Sequence, residues 1–127
     1  MAGAGDSVPF FEITDTRGEH VRYRDLWQRK NLLLVMVPHQ RPLFATVLAR
    51  LQARMPELTS HDTAVVFTSD AVAGLPRPGV LVADQWGEIH YLAAIEADQP
   101  SAADPDALLE WLRFVWYQCP ECQGEAR

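Results

Sequence analysis

Six consecutive apolar residues, Leu32 to Val37, stand out from an otherwise mixed chain and close on Pro38. Their number and their valines predict a central β-strand buried on both faces rather than a helix segment. Before them, Val8 to Thr14 reads as a strand, Asp15-Thr16-Arg17-Gly18 as a turn and His20 to Arg24 as a returning strand. This is a hairpin pattern. After them, Pro42 opens a helix at a position where its missing N–H costs nothing. Leu43, Phe44, Val47, Leu48 and Leu51 follow at helical spacing, with Arg50, Gln52 and Arg54 largely opposite.

The second half repeats these periods. Thr63 to Ser69 and Val80 to Ala83 read as strands, Asp84-Gln85-Trp86-Gly87 as a turn, and Glu88 to Leu92 as the strand that completes a second hairpin. Ala93 to Ala103 is polar and is expected to be a surface loop. Asp104 caps a last helix with Pro105 in its first position. That helix carries Leu108, Leu109, Trp111, Leu112, Phe114, Val115, Trp116 and Tyr117. It should end near Gln118, because Pro120 disfavours helical geometry at Cys119. The order hairpin, strand–helix–strand, hairpin, helix predicts one layered α/β domain over residues 1–127, with 118–127 as a tail.

Composition narrows the function classes. The 127 residues suffice for one core. A net charge of -6 argues against nucleic acid or an anionic membrane as the main partner. The first residues have neither a basic region nor an apolar run, and no stretch approaches the ~20 apolar residues that span a bilayer. A cytoplasmic location is the expectation. Both cysteines, Cys119 and Cys122, lie in the last nine residues. A pair this close staples almost nothing, which points to chemistry or metal instead.

Two blocks carry a resemblance. Gly5-Asp6-Ser7-Val8-Pro9 with Phe11, Ile13, Asp15, Gly18, Val21, Asp25-Leu26 and Lys30 leads into the strand ending at Pro38. Pro78, Asp84 and Gly87 follow further on. Their joint spacing resembles the thioredoxin fold of peroxiredoxins and related thiol reductases (the alkyl hydroperoxide reductase, thiol-specific antioxidant and redoxin group). The resemblance implies a central mixed sheet with an N-terminal β-hairpin, and a cis Pro78 facing the His39–Arg41 loop. It also implies a reactive cysteine at the start of the helix after Pro38, where the helix N-terminus stabilises a thiolate. This chain has His39-Gln40-Arg41-Pro42-Leu43-Phe44-Ala45 there, with no sulfur. It departs a second time between Ser69 and Pro78. Only eight residues, Asp70 to Arg77, remain where the family places a helix. That helix is lost or truncated, and one face of the central strand should be half bare.

Three readings of Cys119-Pro120-Glu121-Cys122 stand side by side. The pair can cycle between dithiol and disulfide against a protein thiol or disulfide partner. It can supply half of a zinc or iron site, completed by the same pair of a second chain. Or it can be two inert thiols on a tail. A helix C-terminus, with Glu121 and Glu125 beside it, disfavours a thiolate, which suits slow exchange better than rapid peroxide attack. The vacated corner of His39, Gln40, Arg41, Arg77 and Pro78 offers an anion-binding arrangement, or simply solvated loop side chains. His20, His61 and His90 have no partner at ligand spacing and read as surface residues. Trp27, Trp86, Trp111 and Trp116 read as packing or interface groups. The apolar breadth of the last helix and the bare sheet face together predict a homodimer. Two function classes therefore remain: a peroxiredoxin-like thiol–disulfide protein, and a non-catalytic thioredoxin-fold binding module.

Overall fold

The structure, a computed structural model, describes residues 2–38, 40–96 and 100–118. A small antiparallel hairpin, β1 (Glu12–Thr14) and β2 (His20–Arg22), precedes a four-stranded mixed sheet. The sheet comprises β3 (Asn31–Met36), β4 (Thr63–Thr68), β5 (Gly79–Ala83) and β6 (Ile89–Ala94), ordered β4-β3-β5-β6. β3 runs parallel to β4 and antiparallel to β5, and β5 pairs antiparallel with β6. Helix α1 (Pro42–Gln52) and the short α2 (Met55–Leu58) connect β3 to β4, and α3 (Pro105–Gln118) closes the chain.

Every residue of β3 is buried, and Leu32 to Met36 have no exposed surface. Strand alternation sends Leu33, Val35 and Val37 to one face and Leu32, Leu34 and Met36 to the other. The first face is covered by Phe44, Val47, Leu48 and Leu51 of α1 and by Leu108, Leu109, Leu112 and Val115 of α3. Both sets follow helical spacing. Asp104 caps α3 as expected, its Oδ2 accepting from the Ala107 N–H at 3.1 Å.

The other face is not half bare, and here the sequence expectation is corrected. No helix forms between β4 and β5, but Val72 and Leu75 of the connecting link are buried at 7% and 8% exposure. Val8, Phe11, Ile13 and Tyr23 complete the layer. Hydrogen bonds tie the N-terminal segment to both sides of the sheet. Val8 N–H donates to the Gly87 carbonyl at 2.8 Å, and Thr68 Oγ1 donates to the Thr14 carbonyl at 2.6 Å. Thr14 N–H donates to Asp70 Oδ2 at 2.8 Å, joining the segment to the link. Each of these large apolar side chains, fully buried, contributes about 1.5–3 kcal/mol relative to exposure.

Three boundaries shift for related reasons. Residues 8–11 are not strand, because Val8 and Phe11 both turn inward, three apart, and the Val8 amide is bonded to the β5–β6 turn. β2 stops at Arg22, where a 3-10 turn over Tyr23–Asp25 carries Tyr23 into the core. The segment after β6 is not wholly a surface loop. Ile95 is buried, its N–H donates to the Pro78 carbonyl at 3.0 Å, and Ala103 is also buried.

If the link replaces the absent helix, Leu75→Ala should lower unfolding free energy by about 2 kcal/mol in urea. Tyr117→Ala, at a side chain 60% exposed, should change it by no more than about 0.5 kcal/mol. Equal effects would contradict the covering role.

Candidate functional site

The C-terminal end of β3 forms the first candidate corner. Val37 N–H bonds the Thr68 carbonyl at 2.9 Å, and Arg41 N–H bonds the Pro38 carbonyl at 3.0 Å, turning the chain into α1. Arg41 is the N-cap residue without a side-chain cap bond, Pro42 follows it, and the first helical turn holds no acidic residue. Gln40 and Arg41 are exposed, and His39 lies outside the described residues. Met36 pairs with Gly79 across β3 and β5, so the register sets Pro78 alongside Val37. The Arg77–Pro78 bond is cis. Gly79 must be glycine here, since a Cβ would collide with the Pro76 carbonyl.

Arg77 is bound to its own link, its Nε donating to the Ser69 carbonyl at 2.6 Å. The structure thus brings Pro78, Gln40 and Arg41 to one end of the sheet, with the Arg77 guanidinium bridging back to the end of β4. Cys119 and Cys122 lie outside the described residues. Trp116, three positions before Cys119, stacks on His61 at 5.1 Å, ahead of the first residue of β4. Because β3 and β4 are parallel, α3 finishes at the end of the sheet opposite the Pro38–Arg41 corner.

A second cluster was not legible as a site. Asp84 Oδ1 accepts from the Trp86 and Glu88 N–H groups at 2.9 and 3.0 Å, the Asx geometry of its turn. Asp84 Oδ2 lies 2.9 Å from His90 Nε2. The ladder steps one residue on β5, from Val82 to Ala83, while it steps two on β6, from Tyr91 to Ile89. His90 is therefore the extra residue of a β-bulge, and the bulge turns its ring back over the turn. The reading of His90 as a partnerless surface residue is corrected: its side chain is 17% exposed and Asp84's is 15%. Of the other two, His20 pairs with Glu12 at 3.2 Å and His61 stacks on Trp116. A histidine three residues past the glycine of an Asp-x-x-Gly turn was the available signal.

Aromatic rings bracket this turn. On the α3 side, His90 meets Phe114 edge-on at 6.0 Å, and Trp111 stacks on Tyr91 at 5.4 Å. On the other, Trp27 Nε1 donates to the Trp86 carbonyl at 3.1 Å, and Phe10 contacts Trp27 and Tyr23. Gly87, at φ 88°, lets Tyr23 approach, because a Cβ there would sit 3.3 Å from the Tyr23 hydroxyl. Among the described residues, that hydroxyl is buried without a hydrogen-bond partner. Burial first, and then the Asp84 carboxylate, push it up to about 12.

No family model matches the chain, and no curated protein does. Solved structures do. The chain is similar to a 2-Cys peroxiredoxin from Plasmodium vivax, with a TM-score of 0.73 at 13% identity over 98% of this chain and 86% of that one. It is similar to the peroxidoxin BcpB of Mycobacterium tuberculosis, with 0.69 at 14% identity over 91% of this chain and 99% of that one. The mitochondrial 2-Cys peroxiredoxin of Plasmodium falciparum gives 0.68 at 9% identity, covering 97% and 98%. These likenesses establish a thioredoxin-like fold, as the sequence resemblance implied. No helix of the described residues is long and apolar enough to cross a membrane.

The raised Tyr23 hydroxyl makes a signed prediction. Its folded value exceeds the ordinary 10.0, so the stability it contributes is fully present below about pH 10 and is lost as pH rises through about 12. The loss is on the order of 2–3 kcal/mol. Urea unfolding of the protein and of Tyr23→Phe should show their stability difference shifting against the native chain across that window. A difference that does not change with pH would contradict the assignment.

Proposed function

We propose that this chain is a peroxiredoxin-like protein of thioredoxin fold whose thiol–disulfide exchange runs on Cys119 and Cys122. A protein disulfide or dithiol would be its partner, in the reducing setting of the cytoplasm. One observation carries the reading: these are the chain's only two sulfhydryls, on a scaffold whose start of α1 holds none. In the sequence, Cys119 follows Gln118, the last residue of α3.

In the exchange, the thiolate of one cysteine attacks a sulfur of the partner disulfide, breaking that S–S bond and releasing a partner thiolate. The second cysteine then attacks the mixed disulfide, closes the Cys119–Cys122 bond and releases the other partner sulfur. Two electrons and two protons pass from the pair to the partner. The end of α3 does not stabilise a thiolate, so exchange is slow compared with that of a thiol at a helix start. A reductant of the dithiol class resets the pair by the reverse steps.

The second reading, a non-catalytic binding module, draws on α3. Phe114 and Tyr117 are 46% and 60% exposed, and Trp111 packs beside Phe114 at 5.7 Å. A homodimer through this face would bring two Cys119–Cys122 pairs together as a four-sulfur zinc or iron site.

Cys119→Ser/Cys122→Ser should abolish disulfide-reductase turnover while leaving urea unfolding within about 0.5 kcal/mol of the native chain. Turnover that survives in the double variant overturns the redox reading. Light scattering should give twice 14.3 kDa if α3 is a dimer face. A mass of one chain removes the dimer and its shared metal site.

A further inference from the structure

The β5–β6 turn holds a cluster that thiol exchange does not use. One ligand atom each from Asp84, Glu88 and His90 lies within 4.8 Å of the others. We propose that these three side chains form a binding site for one divalent transition cation of zinc-like size. Asp84 Oδ2, a Glu88 oxygen and His90 Nε2 are its protein ligands, and water fills the open position. The proposal does not rest on the redox reading.

The geometry lies close to what such an ion requires. Bonds of about 2.0–2.2 Å in tetrahedral array set donor atoms about 3.3–3.5 Å apart. Asp84 Oδ2 and His90 Nε2, now 2.9 Å apart, need only open slightly to admit the ion. Glu88 is exposed and closes by rotating its side chain. The other two ligands are already held. The second oxygen of Asp84 is fixed by the Trp86 and Glu88 N–H groups, an outer shell that sets the carboxylate's direction. His90 is turned toward the cluster by the bulge and braced by Phe114.

Charge and an orphaned polar atom point to a missing occupant. Among the described residues no lysine or arginine pairs with Asp84 or Glu88, and the ion-pair partner of Asp84 is His90 alone. The Tyr23 hydroxyl, fully buried and without a partner, ends against Gly87 in the same turn and lies within the field of Asp84. A buried hydroxyl normally finds a partner, and this unsatisfied one lies at the same turn as the cluster. The imidazole selects a transition cation over calcium or magnesium, which prefer all-oxygen sites.

Cobalt(II) titration tests this on the full chain carrying Cys119→Ser and Cys122→Ser, so that sulfur cannot ligate. The expected result is one cobalt per chain with d–d absorption, displaced by zinc. In the same background, Glu88→Gln and His90→Ala should each weaken binding by about tenfold or more, since even an outer-shell change can cost that much. Glu88 is exposed, so its variant keeps the fold and a decisive readout even if the His90 variant does not. No uptake in the serine background overturns the proposal. It fails equally if Glu88→Gln binds cobalt as tightly as its parent.

Discussion

A strand with no exposed face needs two covering layers, and that requirement organises this molecule. β3 runs through the centre of the sheet with Leu32 to Met36 wholly buried. Helices α1 and α3 supply one layer by the ordinary packing of apolar stripes. A thioredoxin-like domain would supply the other with a helix between β4 and β5, and this chain has only a short link there. The N-terminal segment and the link take over. Because two isolated apolar residues of the link cannot cover a strand alone, the segment must cross beneath the sheet. It is bonded to Gly87 at one edge and to Thr68 at the other.

That crossing also shapes the chemistry. It carries Tyr23 under the β5–β6 turn and packs Phe10 and Phe11 on it. The turn is thus fixed from below by the same residues that compensate for the lost helix, and from α3 by Phe114. Asp84, Glu88 and His90 are gathered on a rigid support as a consequence. At the far end of β3, the position where a helix start would activate a thiol is built but carries none. The fold is thioredoxin-like, and the chain's two cysteines follow the last helix in the sequence.

Local signals were legible in the sequence. The run Leu32 to Val37, Pro42 at the start of α1 and Asp104-Pro105 at the start of α3 each act through neighbouring residues, and each appears within a residue of its expected place. Features that depend on distant partners were not. Val72 and Leu75 sit singly among alanine, glycine and proline with no period, and only the sheet face above them makes them core. Val8 and Phe11 are three apart, a spacing that breaks the strand period of two and arises from the crossing. The pairing of His90 with Asp84 depends on a bulge, which breaks the period that sequence reading relies on. His39, Cys119 and Cys122, central to the sequence reading, lie outside the described residues.

The account's central claim is that thiol chemistry resides in the Cys119–Cys122 pair and not at the start of α1. Mass spectrometry of the intact chain, acid-quenched from glutathione buffers of stepped potential and then alkylated, tests it most directly. The account predicts a single reversible transition between a doubly alkylated form and an unalkylated form lighter by two hydrogens, with no metal retained by sulfur. A chain whose two thiols stay fully alkylatable in the most oxidising buffer, or stay masked by a bound metal, would contradict it.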